Sequence, residues 1–116
     1  MAEYQINPFT NLYERVDSIV PQRSSVTTDI TLSLADEYVP VDATSGNRII
    51  TLPKSISKNK GKIFEVSKRD SSSNLVTVTA DTDLPDLING SATLIISFQY
   101  SAARLCADGI GGWAII

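Results

Sequence analysis

Val26-Thr27-Thr28-Asp29-Ile30-Thr31-Leu32-Ser33-Leu34 is the stretch that decides the fold class of this chain. Successive side chains of an extended backbone point to opposite faces, so Val26, Thr28, Ile30, Leu32 and Leu34 form one row. Thr27, Asp29, Thr31 and Ser33 form the other, polar row. An apolar row opposite a polar one is the signature of a half-buried strand, and no other stretch reads as a strand so clearly.

The same pattern continues toward the C terminus. Tyr38–Val41 reads as a short strand, confined to an edge or a bulge because Pro40 has no N–H for a ladder. Asp42–Asn47 turns the chain, and Arg48–Leu52 is the next strand, closed by Pro53 and a Ser- and Lys-rich loop over Lys54–Lys60. Lys62–Lys68 and Leu75–Ala80 flank Asp70-Ser71-Ser72-Ser73-Asn74 and read as a hairpin. After an acidic loop over Asp81–Asp86 and a turn at Asn89-Gly90, the runs Thr93–Phe98, Ala102–Ala107 and Trp113–Ile116 complete the series. The last two are separated by Asp108-Gly109-Ile110-Gly111-Gly112. About eight short strands with no helical pattern between them predict an all-β fold, an antiparallel β-sandwich or barrel.

Toward the N terminus the pattern changes near Pro21. Met1–Val20 carries Tyr4, Ile6, Phe9, Leu12, Tyr13, Val16 and Ile19 without strand alternation. Asn11 and Glu14 have capping-box spacing, and Leu12, Val16, Ile19 and Val20 fall on one face of a short helix. Residues 1–23 therefore read as an extended arm and residues 24–116 as a single β-body, hinged at the polar stretch Gln22–Ser25.

A chain of 116 residues has room for one core, and 42% hydrophobic with 20% charged residues marks a folded protein. Its net charge of -3 disfavours nucleic acid, which needs a basic footprint. The start Met1-Ala2-Glu3 has no basic, apolar leader pattern, and no apolar run approaches the ~20 residues of a membrane span. Cys106 is the only cysteine, so no disulfide forms within the chain.

Catalytic chemistry is sparse. With 0 histidines, Ser/His and Cys/His nucleophiles and His-ligated metals are excluded. Cys106 lies between Leu105 and Ala107 and reads as a small buried hydrophobe. Asp81, Asp83, Asp86 and Asn89 offer oxygen ligands, but they lack the spacing, central Gly and closing Glu of a calcium loop. Lys54, Lys58, Lys60 and Lys62 read as a solvated loop beside an edge strand. The glycines after Asp108 lead into a strand and not a helix, so they form a turn and no phosphate cradle. The sequence is thus read as non-enzymatic, with no catalytic residues, no cofactor and no metal.

Two strands break the half-buried rule. Leu94-Ile95-Ile96 and Ala114-Ile115-Ile116 are apolar on both faces, and one interior absorbs only one face of each sheet. The second face then meets another subunit, with Leu94, Ile95, Ile96, Trp113, Ile115 and Ile116 as interface candidates. Burial at a closed barrel end or beneath the arm is the other reading.

Tyr38-Val39-Pro40-Val41-Asp42-Ala43-Thr44-Ser45-Gly46, Ile49-Ile50-Thr51-Leu52-Pro53, Gly61-Lys62-Ile63-Phe64, Asn74-Leu75-Val76-Thr77-Val78, Ile88-Asn89-Gly90 and Asp108-Gly109 before Trp113 follow one another in a set order. That order resembles a β-module of head fibres, tail fibres and related virion proteins of tailed bacteriophages. The resemblance implies a homotrimeric capsid decoration or head-fibre-base protein on the virion surface, made in the host cytoplasm. Its arm would grip a capsid or other virion protein through Tyr4, Ile6, Phe9, Leu12 and Tyr13. The alternative is a carbohydrate- or receptor-binding module of a tail fibre, with Trp113, Tyr100 and the Lys54–Lys62 loop meeting a host glycan.

Overall fold

The computed structural model describes residues 23–82 and 86–116. The anchor candidates Tyr4, Ile6, Phe9, Leu12 and Tyr13, and the helix expected in the arm, lie outside the described residues.

Nine strands and one 3₁₀ turn make up the described fold, with no α-helix among the described residues. The strands are β1 (Ile30–Thr31), β2 (Tyr38–Val41), β3 (Arg48–Thr51), β4 (Ile63–Lys68), β5 (Val76–Thr79), β6 (Leu87–Ile88), β7 (Thr93–Ile96), β8 (Ala102–Ala107) and β9 (Gly112–Ile115). They form a four-stranded sheet, β1-β3-β5-β7, and a five-stranded sheet, β2-β4-β8-β9-β6. The all-β expectation holds, but a purely antiparallel sandwich or barrel does not. β1 pairs β3, β3 pairs β5, β2 pairs β4 and β6 pairs β9 in parallel, whereas β5–β7, β4–β8 and β8–β9 are antiparallel. Both sheets are mixed and neither closes on itself.

Three of the parallel pairs, β1–β3, β3–β5 and β2–β4, arise because the chain alternates between sheets from β1 to β5. A parallel pair needs a long crossover, and here the strand of the opposite sheet supplies it in place of a helix. The expected hairpin over residues 62–80 is therefore replaced by a corner. β4 and β5 lie in different sheets, and β5 pairs β3 in the register Arg48↔Val76 and Ile50↔Val78.

The stretch Val26–Leu34 also departs from a single long strand. Val26 bridges Val41 beside the five-stranded sheet, while Ile30 and Thr31 join β3 in the other. The chain changes sheets between them, so its apolar row cannot remain on one buried face. Val26 and Leu32 are buried, Ile30 is half-buried, and Thr28 and Leu34 are exposed. Arg48 Nη1 donates to Thr27 O and Ile49 N–H donates to the Asp29 carboxylate, fixing the crossing. Pro40 does lie in an edge strand, β2, as its missing N–H requires.

The core fills the space between the sheets. Val39, Val41, Phe64, Val66, Leu105 and Trp113 of one sheet meet Ile50, Val76, Val78 and Ile96 of the other. The Phe64 and Trp113 rings are tilted by 40° at 5.5 Å between centroids, a favourable offset for two quadrupoles.

The outer face of the four-stranded sheet carries two rows. Thr31, Thr51, Thr79 and Thr93 are in register across all four strands, and Ile49, Thr77 and Ile95 across three.

Candidate functional site

A strand at the edge of a sheet offers unpaired N–H and C=O groups to any passing chain, and folds normally blunt it with short length, charge or proline. Among the described residues, three of the four sheet edges are blunted in this way. β1 and β6 have 2 residues each, and β2 contains Pro40. β7 is different, with 4 residues, Thr-Leu-Ile-Ile, that include neither proline nor charge.

β7 also borders an apolar groove of about 560 Å³ between the two sheets. Leu94 and Ile96 enter it from β7, Ala102 and Ala103 from β8, and Ile115 and Ile116 from the end of the chain. Leu94 and Ile96 lie on the core side of their sheet, opposite Val78 and Val76, whereas Ile95 opposes Thr77 on the outside and is 55% exposed. Ile115 pairs Leu105 and shares the side of Trp113, but it lies at the open end of the core and is 41% exposed. Ile116 is held by its N–H donating to Arg104 O.

The turn joining β7 to β8 raises one wall. Tyr100 N–H donates to Lys68 O at 2.7 Å, and Lys68 N–H donates to Ser101 O at 3.0 Å, so the turn is tied to the end of β4. This tie holds Tyr100 at φ 68, a left-handed conformation that a bulky residue adopts only when its surroundings impose it. The Arg69 guanidinium covers the Tyr100 ring at 4.7 Å. Phe98 in the same turn is 75% exposed. On the rim, Arg104 and Glu65 form an ion pair at 3.8 Å, open to water and worth about 0–1 kcal/mol.

Chemically the groove does one thing, which is to lose water. Full burial of an aliphatic or aromatic side chain stabilises by about 1.5–3 kcal/mol, so covering the exposed parts of Ile95, Phe98 and Ile116 is worth a few kcal/mol.

Of the residues singled out from sequence, Leu94, Ile95, Ile96, Ile115 and Ile116 converge on this groove. Trp113 does not. It is 2% exposed and packed on Phe64, because the period-2 alternation of β9 turns it into the core. That burial also removes it from a sugar-stacking platform with Tyr100. Phe98 lines the groove and Tyr100 stands exposed in the same turn, and neither was among the interface candidates. Their signal is two large aromatics in the polar turn Ser97–Ser101, where turns normally carry Gly, Asn or Asp.

Among the described residues, the other polar groups singled out from sequence do not converge on a second centre. Lys54 Nζ lies 3.6 Å from Asp86, Lys60 packs its stem under Gly109, and Lys62 lies over the Phe64 ring at 5.0 Å. The basic run is therefore divided among separate partners. Asp86 is buried and accepts from Ser55 N–H at 2.6 Å, while Asn89 accepts from Ile115 N–H. Among the described residues, no group of three or more His, Cys, Asp or Glu side chains is placed to hold a metal ion. The Asp108 carboxyl is held below its ordinary range, first by the Ile110 N–H and then by the Gly112 N–H and the Ser55 hydroxyl. It shapes the glycine turn leading into β9. Cys106 is half-buried, in register with Ile63 on β4 and Ala114 on β9.

Neither protein-family models nor curated proteins match this chain.

Proposed function

We propose that this chain is a non-enzymatic structural protein of a phage virion, a capsid decoration or head-fibre-base protein that assembles as a homotrimer and attaches through its N-terminal arm. The observation that supports self-assembly is the open apolar groove beside β7, an edge that nothing blunts among the described residues. The virion setting is supported by the ordered segments from Tyr38 to Trp113 that resemble phage fibre modules. In this reading the groove closes against other copies. Tyr4, Ile6, Phe9, Leu12 and Tyr13 bury against a capsid protein, and the multivalency of a trimer offsets the entropy of ordering the arm.

Deleting Met1–Val20 tests the attachment. The truncated chain is expected to remain a folded oligomer and to stop co-sedimenting with the particle it decorates. Unaltered attachment would remove the arm from the anchoring role.

A further inference from the structure

The outer face of the four-stranded sheet is solvated along one side of the fold, yet its two in-register rows contain only threonine and isoleucine. Ile49 is 45% exposed and Ile95 55%, and Thr31 and Thr93 are exposed at the two edges. A sheet face that works in water alternates its inward apolar residues with polar ones, charged residues among them. The five-stranded sheet does this, placing Tyr38, Glu65 and Arg104 in register on its outer face. The four-stranded sheet has no charge within either row; the charge at its border is Asp29, beside Ile49 and 3.6 Å from Arg48. Its apolar surface continues through Ile95 to Phe98 and the groove.

We infer that this threonine–isoleucine face is the central contact between copies of the chain, packing against the same sheet of a neighbour, with the β7–β9 groove as its flank. The inference rests on the self-assembling reading and adds which face meets the axis. The two rows meet their copies without repulsion, since the bordering Asp29 is paired with Arg48 of its own chain, and rows of β-branched side chains at strand spacing interdigitate with rows of the same kind. A face can pack about a symmetry axis of any order, whereas pairing β7 with its own copy works only across a twofold. Size explains why the flank is needed. Four strands ~4.8 Å apart and about four residues of ~3.3 Å rise give a footprint on the order of 250 Å². A stable interface takes about 800 Å² from each partner, so the face must extend through Ile95 and Phe98 to reach it.

Sedimentation velocity on the full chain and on Thr93→Arg, Thr77→Arg and Phe98→Ser tests this. Thr93 is exposed on an edge strand, so Thr93→Arg keeps the fold, which far-UV circular dichroism verifies. Both arginine variants are expected to lose assembly at concentrations where the unaltered chain is fully assembled, and Phe98→Ser to weaken it. Assembly of Thr93→Arg equal to that of the unaltered chain would overturn the face assignment. If Phe98→Ser alone abolishes it, self-assembly stands and this inference falls. An unaltered chain that sediments as a monomer would overturn both.

Discussion

Lys68 has no exposed side-chain surface, and burying an ammonium group costs several kcal/mol unless it is paired and fully hydrogen-bonded. The chain meets that condition within four residues. Lys68 Nζ donates to the Asp70 carboxylate at 2.8 Å, to Asp70 O at 3.1 Å and to Ser72 O at 2.9 Å. Asp70 in turn accepts from the N–H groups of Ala43 and Ser72 and from the Ser72 hydroxyl. Burial pushes the Asp70 carboxyl up, but the Lys68 ammonium, the Ser72 hydroxyl and the two backbone N–H groups outweigh it and hold it well below the ordinary carboxylate range. Because the folded value lies below the unfolded one, the stabilisation is fully present at neutral pH. It is lost as pH falls below the ordinary value of about 3.8 toward the folded one. Asp70→Asn is expected to cost about 3 kcal/mol or more in urea unfolding at pH 7, since it leaves a buried charge unpaired. The variant's stability should also depend less steeply on pH below 4, and an equal slope in both proteins would show that Asp70 is not the linked group.

At the scale of elements, the same network explains why β4 and β5 do not form a hairpin. Asp70-Ser71-Ser72-Ser73-Asn74 has hairpin-turn chemistry, but its side chains bond to the preceding corner, Asp42–Asn47, and not across a two-strand ribbon. Asn74 Nδ2 donates to Ala43 O at 2.7 Å and to Thr44 O at 3.3 Å, and Asn47 accepts from Leu75 N–H at 2.8 Å. The two corners stack and set the parallel register of β3 and β5. Asn74→Ala leaves the buried Ala43 carbonyl with fewer donors and is expected to destabilise by about 1–2 kcal/mol, measured as a lower urea midpoint with an unchanged slope. Most strand positions and buried faces were legible in the sequence because alternation reports which residues point inward; Val26–Leu34 shortened to β1, and β6, with 2 residues, was too short to show a pattern. Partner and direction were not, because period-2 alternation is the same in parallel and antiparallel ladders. Leu94-Ile95-Ile96 announced an apolar surface on both sides, and that surface is present. Trp113 misled for a simple reason: a large aromatic beside Ala114-Ile115-Ile116 reads as interface until the pairing of β9 with β8 fixes which way it faces.

For the whole molecule, the division of surfaces matters most. One sheet presents an ion pair and a tyrosine to water, and the other presents threonine and isoleucine beside an unblunted edge and an open groove. Among the described residues nothing covers Phe98, Ile95 and Ile116, although the turn carrying Phe98 is braced by a strained Tyr100. Association is therefore the property on which the proposed role depends. The most direct test is the mass of the intact chain in solution by multi-angle light scattering at micromolar concentration. The expected result is a single species at three times the 12.6 kDa of one chain. A monomer mass that does not change with concentration would contradict the account.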